Sequence, residues 1–289
     1  MTTAKTISLA EVWNEILAPK FIRFRQVLVS GAEPHGRRAM ALFSPQPGHA
    51  AVDIGCGFGD ATSELAELVG PSGTALGLDL APAFIALARA ATQPLKLAQL
   101  RFLVEDAATY AAPESADYLF ARFGTMFFEQ PVAAFRNLQR MLRPGGELVM
   151  TTWRGLDENP WLAIAKRAAL TLLPAPGNGA VSCGPGPFSL ADPEVIREVL
   201  TRAGFCDVTL LPSDAITLVG HSLKSAVDFQ MAIGPAGEIV REAGAAGEQR
   251  LSEVRAAIGE ALAPFLCEEG VALPSAAWIV HAKVGSGFH

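Results

Sequence analysis

Apolar residues recur along this chain with two periods, and the points where one gives way to the other mark out the fold. Leu9, Val12, Trp13, Ile16 and Leu17, then Phe21, Ile22, Phe24, Val27 and Leu28, fall at helical spacing. They predict one or two helices over 8–30, interrupted near Pro19, and a second short helix over about 35–43. From Ala50 onward, short apolar runs alternate with amphipathic helical stretches. Ala50–Ile54, Thr74–Leu80, Leu100–Val104, Tyr118–Phe123 and Glu147–Trp153 read as strands. Ala61–Val69, Pro82–Ala91 and Pro131–Leu142 read as the helices between them, two with Pro in the first turn. This alternation over short turns predicts an α/β fold with a doubly wound, seven-stranded, mostly parallel sheet.

After Arg154 the alternation breaks. Residues 155–190 are rich in Pro and Gly around one helix at about 160–173. Asp192–Ala203 predicts a helix with Asp192 as its cap. Cys206–Val219 predicts a long strand bent at Pro212. Residues 222–268 read as helical, with breaks near Gly234-Pro235 and Gly244, before a last strand over Ala276–Val284. The expected organisation is N-terminal helices (1–45), a cofactor-binding α/β core (46–154), a cap insertion (155–190), a core helix and strand (191–219), a helical cap insertion (220–270), and a last core strand with its tail (271–289).

Composition narrows the function. Half of the 289 residues are apolar and 18% are charged, enough for a substantial core. The net charge of −6 lacks the basic footprint of a nucleic-acid-binding protein. No run of eighteen apolar residues suggests a membrane span, and the N-terminus lacks the apolar core of a secretory signal. Cys56, Cys183, Cys206 and Cys267 are far apart and read as free thiols of a reducing cytosol. The five histidines make no metal-binding spacing. The expectation is a cytoplasmic protein acting on a small molecule without metal, nucleic acid or membrane span. Its oligomeric state is open, a homodimer being one option.

The chemistry concentrates in Asp53-Ile-Gly55-Cys56-Gly57-Phe-Gly59, between the first strand and the helix after it. Ligands of open α/β sheets bind beyond the carboxyl ends of the strands, where glycines let backbone approach closely. Asp79 ends the second strand about 20 residues later, the place of an acid that bonds ribose hydroxyls. The pair implies an adenosine-containing cofactor. The dinucleotide pattern G-x-G-x-x-G would need glycine at position 60, which is Asp60. A carboxylate at that helix N-terminus would repel pyrophosphate but is tolerable beside the sulfonium of S-adenosylmethionine.

Val52-Asp-Ile-Gly-Cys-Gly-Phe-Gly59, Gly77-Leu-Asp79-Leu80, Glu105-Asp106-Ala107 and Leu142-Arg-Pro-Gly-Gly146 resemble the successive motifs of class I S-adenosylmethionine-dependent methyltransferases. The nearest branch is the one labelled ubiquinone/menaquinone-biosynthesis-like. The Arg122–Phe128 and Trp153…Trp161 segments are also similar to it. The resemblance is strongest over roughly 45–155. It implies that Asp53 and the loop of Gly55, Cys56, Gly57 and Gly59 hold the methionine moiety, that Asp79 takes the ribose, and that Leu80 packs on adenine. It further implies that Asp106 and Ala107 read the adenine edge, and that Arg122 and Phe123 lie beside the transferring methyl group. Bare chain chemistry keeps two other classes open: an NAD-dependent oxidoreductase, and a non-catalytic adenosylmethionine-binding protein.

Several candidates carry two readings. Arg122 either anchors an acidic group of the substrate or pairs with Glu129. His221, just past the Cys206–Val219 strand, is either a general base or a surface-loop histidine. Met126, Phe127, Trp153, Trp161 and Phe188 either wall a substrate pocket, with Phe128 beside them, or are plain core. Leu170, Leu172, Leu173, Leu218, Phe229 and Met231 suggest that the two insertions enclose an apolar pocket. His281 reads as packed within its strand. His35 and His49 read as loop residues with no nameable partner.

Overall fold

The structure, a computed structural model, describes residues 8–175 and 186–286. Its strands are β1 (Ala50–Ile54), β2 (Thr74–Asp79), β3 (Leu100–Val104), β4 (Ala116–Arg122), β5 (Leu142–Trp153), β6 (Phe205–Gly220), β7 (Leu266–Cys267) and β8 (Gly270–Val284). They form one sheet in the order β3-β2-β1-β4-β5-β8-β6, with the two-residue β7 added beside β8. β1 to β5 pair in parallel, whereas β8 is antiparallel to both β5 and β6. β6 therefore points the same way as β1 to β5, although its sheet partner is reversed. The carboxyl ends of β1, β2, β4 and β5 share one edge.

Four helical pieces precede the sheet: α1 (Leu9–Glu11), a π-helical stretch (Val12–Leu17), α2 (Ala18–Arg23) and α3 (Arg25–Leu42). Between strands run α4 (Asp60–Val69), α5 (Pro82–Thr92) and α6 (Pro131–Met141), then α7 (Pro160–Leu170) and α8 (Pro193–Ala203). The last helices are α9 (Leu223–Ala232), α10 (Pro235–Glu242), α11 (Ala245–Gln249) and α12 (Leu251–Leu262). The expected cap of α8 is present: the Asp192 carboxylate accepts from the Glu194 amide at 2.8 Å.

Three departures from the sequence reading have physical causes. The break expected at Pro19 falls instead at Phe24 (φ −107°, ψ 21°), because Pro19 sits in the first turn of α2, where a missing N–H costs nothing. The separate helix at 35–43 is the second half of the 18-residue α3, which runs straight through Gly31, Pro34 and Gly36. Those glycines are not breakers. A Cβ at Gly31 would lie 2.8 Å from Thr217 Cγ2, and one at Gly36 would lie 2.6 Å from Arg122 Cδ, so they let α3 press onto β6 and the end of β4. Finally, β8 begins at Gly270, because β7 folds back onto it where the sequence reads as helix.

The main core lies between the sheet and α6 to α10 with α12. It joins Phe135, Leu138 and Leu148 to Trp161, Phe229 and Ile258. The stretches read as cap insertions therefore share one core with the sheet, α7 packing on α10 and α12. Residues 176–185, with Cys183, lie outside the described residues. Residues 9–23 bury only Val12 and Ala18.

Candidate active site

A cavity of about 870 Å³ opens at the shared edge of β1, β2, β4 and β5. Its floor is the β1–α4 loop. Gly57 and Gly59 have φ of +54° and +81°, which side-chain-bearing residues rarely adopt. A Cβ on Gly57 would meet open space, whereas one on Gly59 would strike Ala88 and Phe102 within 2.8 Å. Gly57 thus lets a ligand approach, and Gly59, which does not line the cavity, lets the loop pack.

Three carboxylates surround this loop. Asp79 ends β2; its Oδ2 accepts from the Gly57 amide and its Oδ1 from the Ala81 amide, both at 2.9 Å. Burial raises its pKa above the ordinary value. Asp53, in β1, accepts from the Thr62 hydroxyl at 2.7 Å. Burial pushes its carboxyl up to about 7, with Asp60 and Asp79 adding to the rise and Thr62 and Arg122 opposing it. Asp60 opens α4 and forms an ion pair with Arg122 at the end of β4. Arg122 thus pairs with Asp60 and not with Glu129, one of its two possible roles, because the end of β4 faces the start of α4 across β1. Asp60 Oδ1 is buried and has no hydrogen-bond partner.

Leu80, Asp106 and Ala107 line the same end of the cavity. Asp106 Oδ1 accepts from the Ala108 amide at 2.8 Å, which fixes the loop after β3. A glycine cradle, an acid at the end of β2 and an orphaned buried carboxylate oxygen suit a ligand that offers hydroxyls and an ammonium group. The donor set of S-adenosylmethionine fits them. Among the described residues, no group of His, Cys, Asp or Glu is placed to hold a metal.

The opposite end is aromatic. Phe123 follows β4 with φ +59° and stacks on Trp153 (centroids 3.8 Å apart, 13° between planes). Trp153 meets Trp161 at 5.1 Å. The Trp161 indole N–H donates to Asn159 Oδ1 at 2.9 Å; the same oxygen accepts from the Ala276 amide, and the amide nitrogen of this buried side chain donates to three carbonyls. Met126 and Phe127 complete this side. Phe188 does not: it packs half-buried on the core, while its neighbours Gly186 and Pro187 reach the cavity.

The sequence reading missed the third wall. Leu9, Trp13, Leu17, Phe21, Leu28, Val29 and Ala32, from the N-terminal helices, line the cavity. Trp13 packs edge-on against Phe127 at 5.0 Å and Phe21 at 5.4 Å. The signal was present as large aromatics on one helical face, but nothing local said that the face turns toward the strand ends. The pocket expected from Leu170, Leu172, Leu173, Leu218, Phe229 and Met231 is not the lining. Phe229 and Leu173 are core, and the cap contributes Trp161, Leu162, Ile233, Glu238 and Glu242 instead.

Of the two readings of His221, its position fits the surface-loop one. It lies past the carboxyl end of β6, as expected, but β6 is the outermost strand, so that end is far along the edge from the glycine loop. The ring is exposed, its Nδ1 3.3 Å from the Glu269 carbonyl, and it does not line the cavity. His35, read as a loop residue, is instead fully buried in α3. His281 is packed, stacked on Phe43 at 4.2 Å, and His49 accepts from the Gln46 amide at 3.2 Å.

Fold and site together define an α/β protein whose cavity beyond the strand ends suits an adenosine-bearing cofactor. Comparison with known proteins narrows the class. A family model described as a methyltransferase domain matches residues 45–175. Nocamycin O-methyltransferase of Saccharothrix syringae is 30% identical over 197 residues, 63% of this chain and 68% of that protein. A ubiquinone/menaquinone biosynthesis C-methyltransferase of Ectopseudomonas mendocina is 26% identical over 216 residues, 71% of this chain and 84% of that protein. Other curated relatives are spanned over about half their length. Phosphoethanolamine N-methyltransferase 2 of Haemonchus contortus, solved with phosphomonomethylethanolamine and S-adenosylhomocysteine, shares the fold. It superposes with a TM-score of 0.58 at 18% identity, covering 98% of this chain and 61% of that one.

The chain belongs to the S-adenosylmethionine-dependent methyltransferases, and S-adenosylmethionine is its cofactor. The NAD-dependent oxidoreductase alternative falls away. No helix among the described residues is long and apolar enough to cross a membrane.

Proposed function

We propose that the protein methylates an O, N, S or C nucleophile of a small, apolar or aromatic molecule. One observation carries this: a single cavity runs from the glycine loop and its carboxylates to a wall of Trp13, Phe127, Trp153 and Trp161. Asp79 takes the two ribose hydroxyls, each of its oxygens already oriented by an amide and retaining a free lone pair. Leu80, Asp106 and Ala107 hold the adenine. Asp53, Cys56 and the glycine backbone hold the methionine end, and the Asp60–Arg122 pair closes it. When bound, the cofactor supplies an electrophilic methyl group on a sulfonium sulfur.

The chain's own contribution is then positioning and exclusion of water. Phe123 and Trp153 form one face against which the acceptor lies, and the N-terminal helices cover it. His221 does not reach this space, so no general base is assigned to it; an acceptor nucleophilic at the working pH needs none. The unpaired cysteines 56, 206 and 267 fit a cytoplasmic enzyme.

The experiment is calorimetric titration with S-adenosylmethionine and with NAD, followed by transfer of labelled methyl groups into a metabolite extract. Asp79→Ala should weaken S-adenosylmethionine by about 2–3 kcal/mol, the value of hydrogen bonds to a charged group that share one carboxylate. Unchanged affinity would take Asp79 out of the site. A wild-type protein that binds the cofactor but labels no metabolite would sink the acceptor assignment.

The lid makes a second test. The cap helices share the sheet's core, so the segment that opens most readily should be 9–23, with its two buried side chains. Its amides should exchange fast in the free protein and slow on adding S-adenosylhomocysteine, while β1 and β5 stay protected throughout. Equal protection of 9–23 and β1 without ligand would show that these helices do not gate the cavity.

A further inference from the structure

His35 is buried and polar, yet the cofactor end of the site makes no use of it. Its two ring nitrogens reach two hydroxyls from distant strands: Nδ1 lies 2.9 Å from Ser213 Oγ on β6, and Nε2 lies 3.0 Å from Ser275 Oγ on β8. Ser275 donates its own proton to the Ala215 carbonyl at 3.3 Å. It must therefore accept from His35, which puts the ring proton on Nε2 and leaves Nδ1 to accept from Ser213. The imidazole is thus pinned in orientation as well as in place.

The pinned ring stands beside two residues of the cavity wall. Its plane is at 88° to the Phe123 ring, 5.8 Å away between centroids, and at 88° to the Trp153 ring, 5.5 Å away. Those two rings are the stacked pair that lines the cavity. Phe123 sits in a left-handed backbone conformation, which a bulky residue keeps only when its surroundings over-determine it. The neighbouring Gly36 lets the same turn of α3 rest on Arg122, the residue before Phe123. One helical turn therefore fixes both consecutive residues at the end of β4. An apolar side chain would fill the space at lower desolvation cost than a histidine bonded to two serines. What the polar network adds is a single ring angle.

We propose that His35 is a positioning residue for the transfer, setting the Phe123–Trp153 face on which the methyl acceptor lies. This rests on the function proposed above. The face is an acceptor surface for a flat, uncharged aromatic group, so its fit depends on the tilt of the stacked pair and hence on the ring behind it.

The test uses the full chain, S-adenosylhomocysteine, and the neutral aromatic fluorophore N-phenyl-1-naphthylamine. His35→Gln and Ser213→Ala are compared with wild type. Each should weaken the fluorophore, measured with S-adenosylhomocysteine saturating, by about tenfold for His35→Gln and less for Ser213→Ala, the scale of a disturbed aromatic contact. S-adenosylhomocysteine affinity should stay within about threefold, since the carboxylates that hold it are untouched. The tryptophan near-ultraviolet circular dichroism should fall with the fluorophore affinity. A merely structural His35 would lower the melting temperature and leave the fluorophore affinity of the folded protein unchanged, which would overturn the proposal. If His35→Gln does not fold, Ser213→Ala decides, because it keeps the ring and one of its bonds. Wild-type protein that binds S-adenosylhomocysteine but not the fluorophore removes the aromatic face and this inference with it. Failure to bind S-adenosylhomocysteine removes the donor assignment beneath both.

Discussion

Asp53→Asn should stabilise the protein at pH 8 relative to pH 4 by about 4 kcal/mol more than the wild type shows. The folded protein holds the Asp53 proton up to about pH 7, mainly because burial penalises the carboxylate, whereas the unfolded chain releases it near 3.8. A group that binds its proton more tightly when folded contributes stability that is complete below 3.8. That stability is lost as pH rises to 7, where the buried site must accept a charge. The amide of Asn keeps the oxygen that accepts from Thr62 and never ionises, so the variant lacks the loss. Denaturant unfolding at half-unit pH steps measures the difference. Parallel curves for variant and wild type would show that Asp53 is ionised across the range.

His35 should give the opposite slope. Burial lowers its pKa from 6.5 to about 4, with Arg38 lowering it further and Asp214 opposing. The unfolded chain takes up a proton below 6.5 that the folded ring refuses. The wild type therefore loses about 3 kcal/mol from this group as pH falls from 6.5 to 4. His35→Gln is less stable at neutral pH, because two serine hydroxyls lose their partner, but it lacks this acid-side loss. The gap between variant and wild type should close by that amount on acidification. A constant gap would mean that the ring is protonated in the fold. Because the two windows overlap with opposite signs, the contributions of Asp53 and His35 offset each other between pH 4 and 6.5, and the variants separate them.

The parts of this molecule legible in its sequence are those whose cause is local. β1 to β5 announce themselves by short apolar runs between turns, and the β1–α4 loop by glycines that only positive φ explains. Asp79 is readable because its place, at the end of the second strand and about 20 residues past the glycine loop, is set by local spacing alone. What stayed hidden depends on residues far apart in the chain. His35 looks partnerless because Ser213 and Ser275 lie 178 and 240 positions away. Gly31 and Gly36 have no visible reason to be glycine until Thr217 and Arg122 are seen against them. Asp60 looks like a bare repulsive charge until Arg122 is placed beside it. His221 reads as lying on the ligand edge because strand direction is legible in the sequence, whereas distance along that edge is not.

The methyltransferase match begins at residue 45, yet Trp13, Phe21 and His35 all lie ahead of it. On the proposed assignment, donor and acceptor are read by different stretches of one polypeptide. The loops at 55–60, 79–80 and 106–107 answer for the donor, and residues 9–35 with 153–162 for much of the acceptor face. Mutational drift in the leading helices can therefore remodel which molecule is accepted while the donor pocket keeps its affinity. Exchanging only that leading segment between relatives is the economical way to retarget such a catalyst.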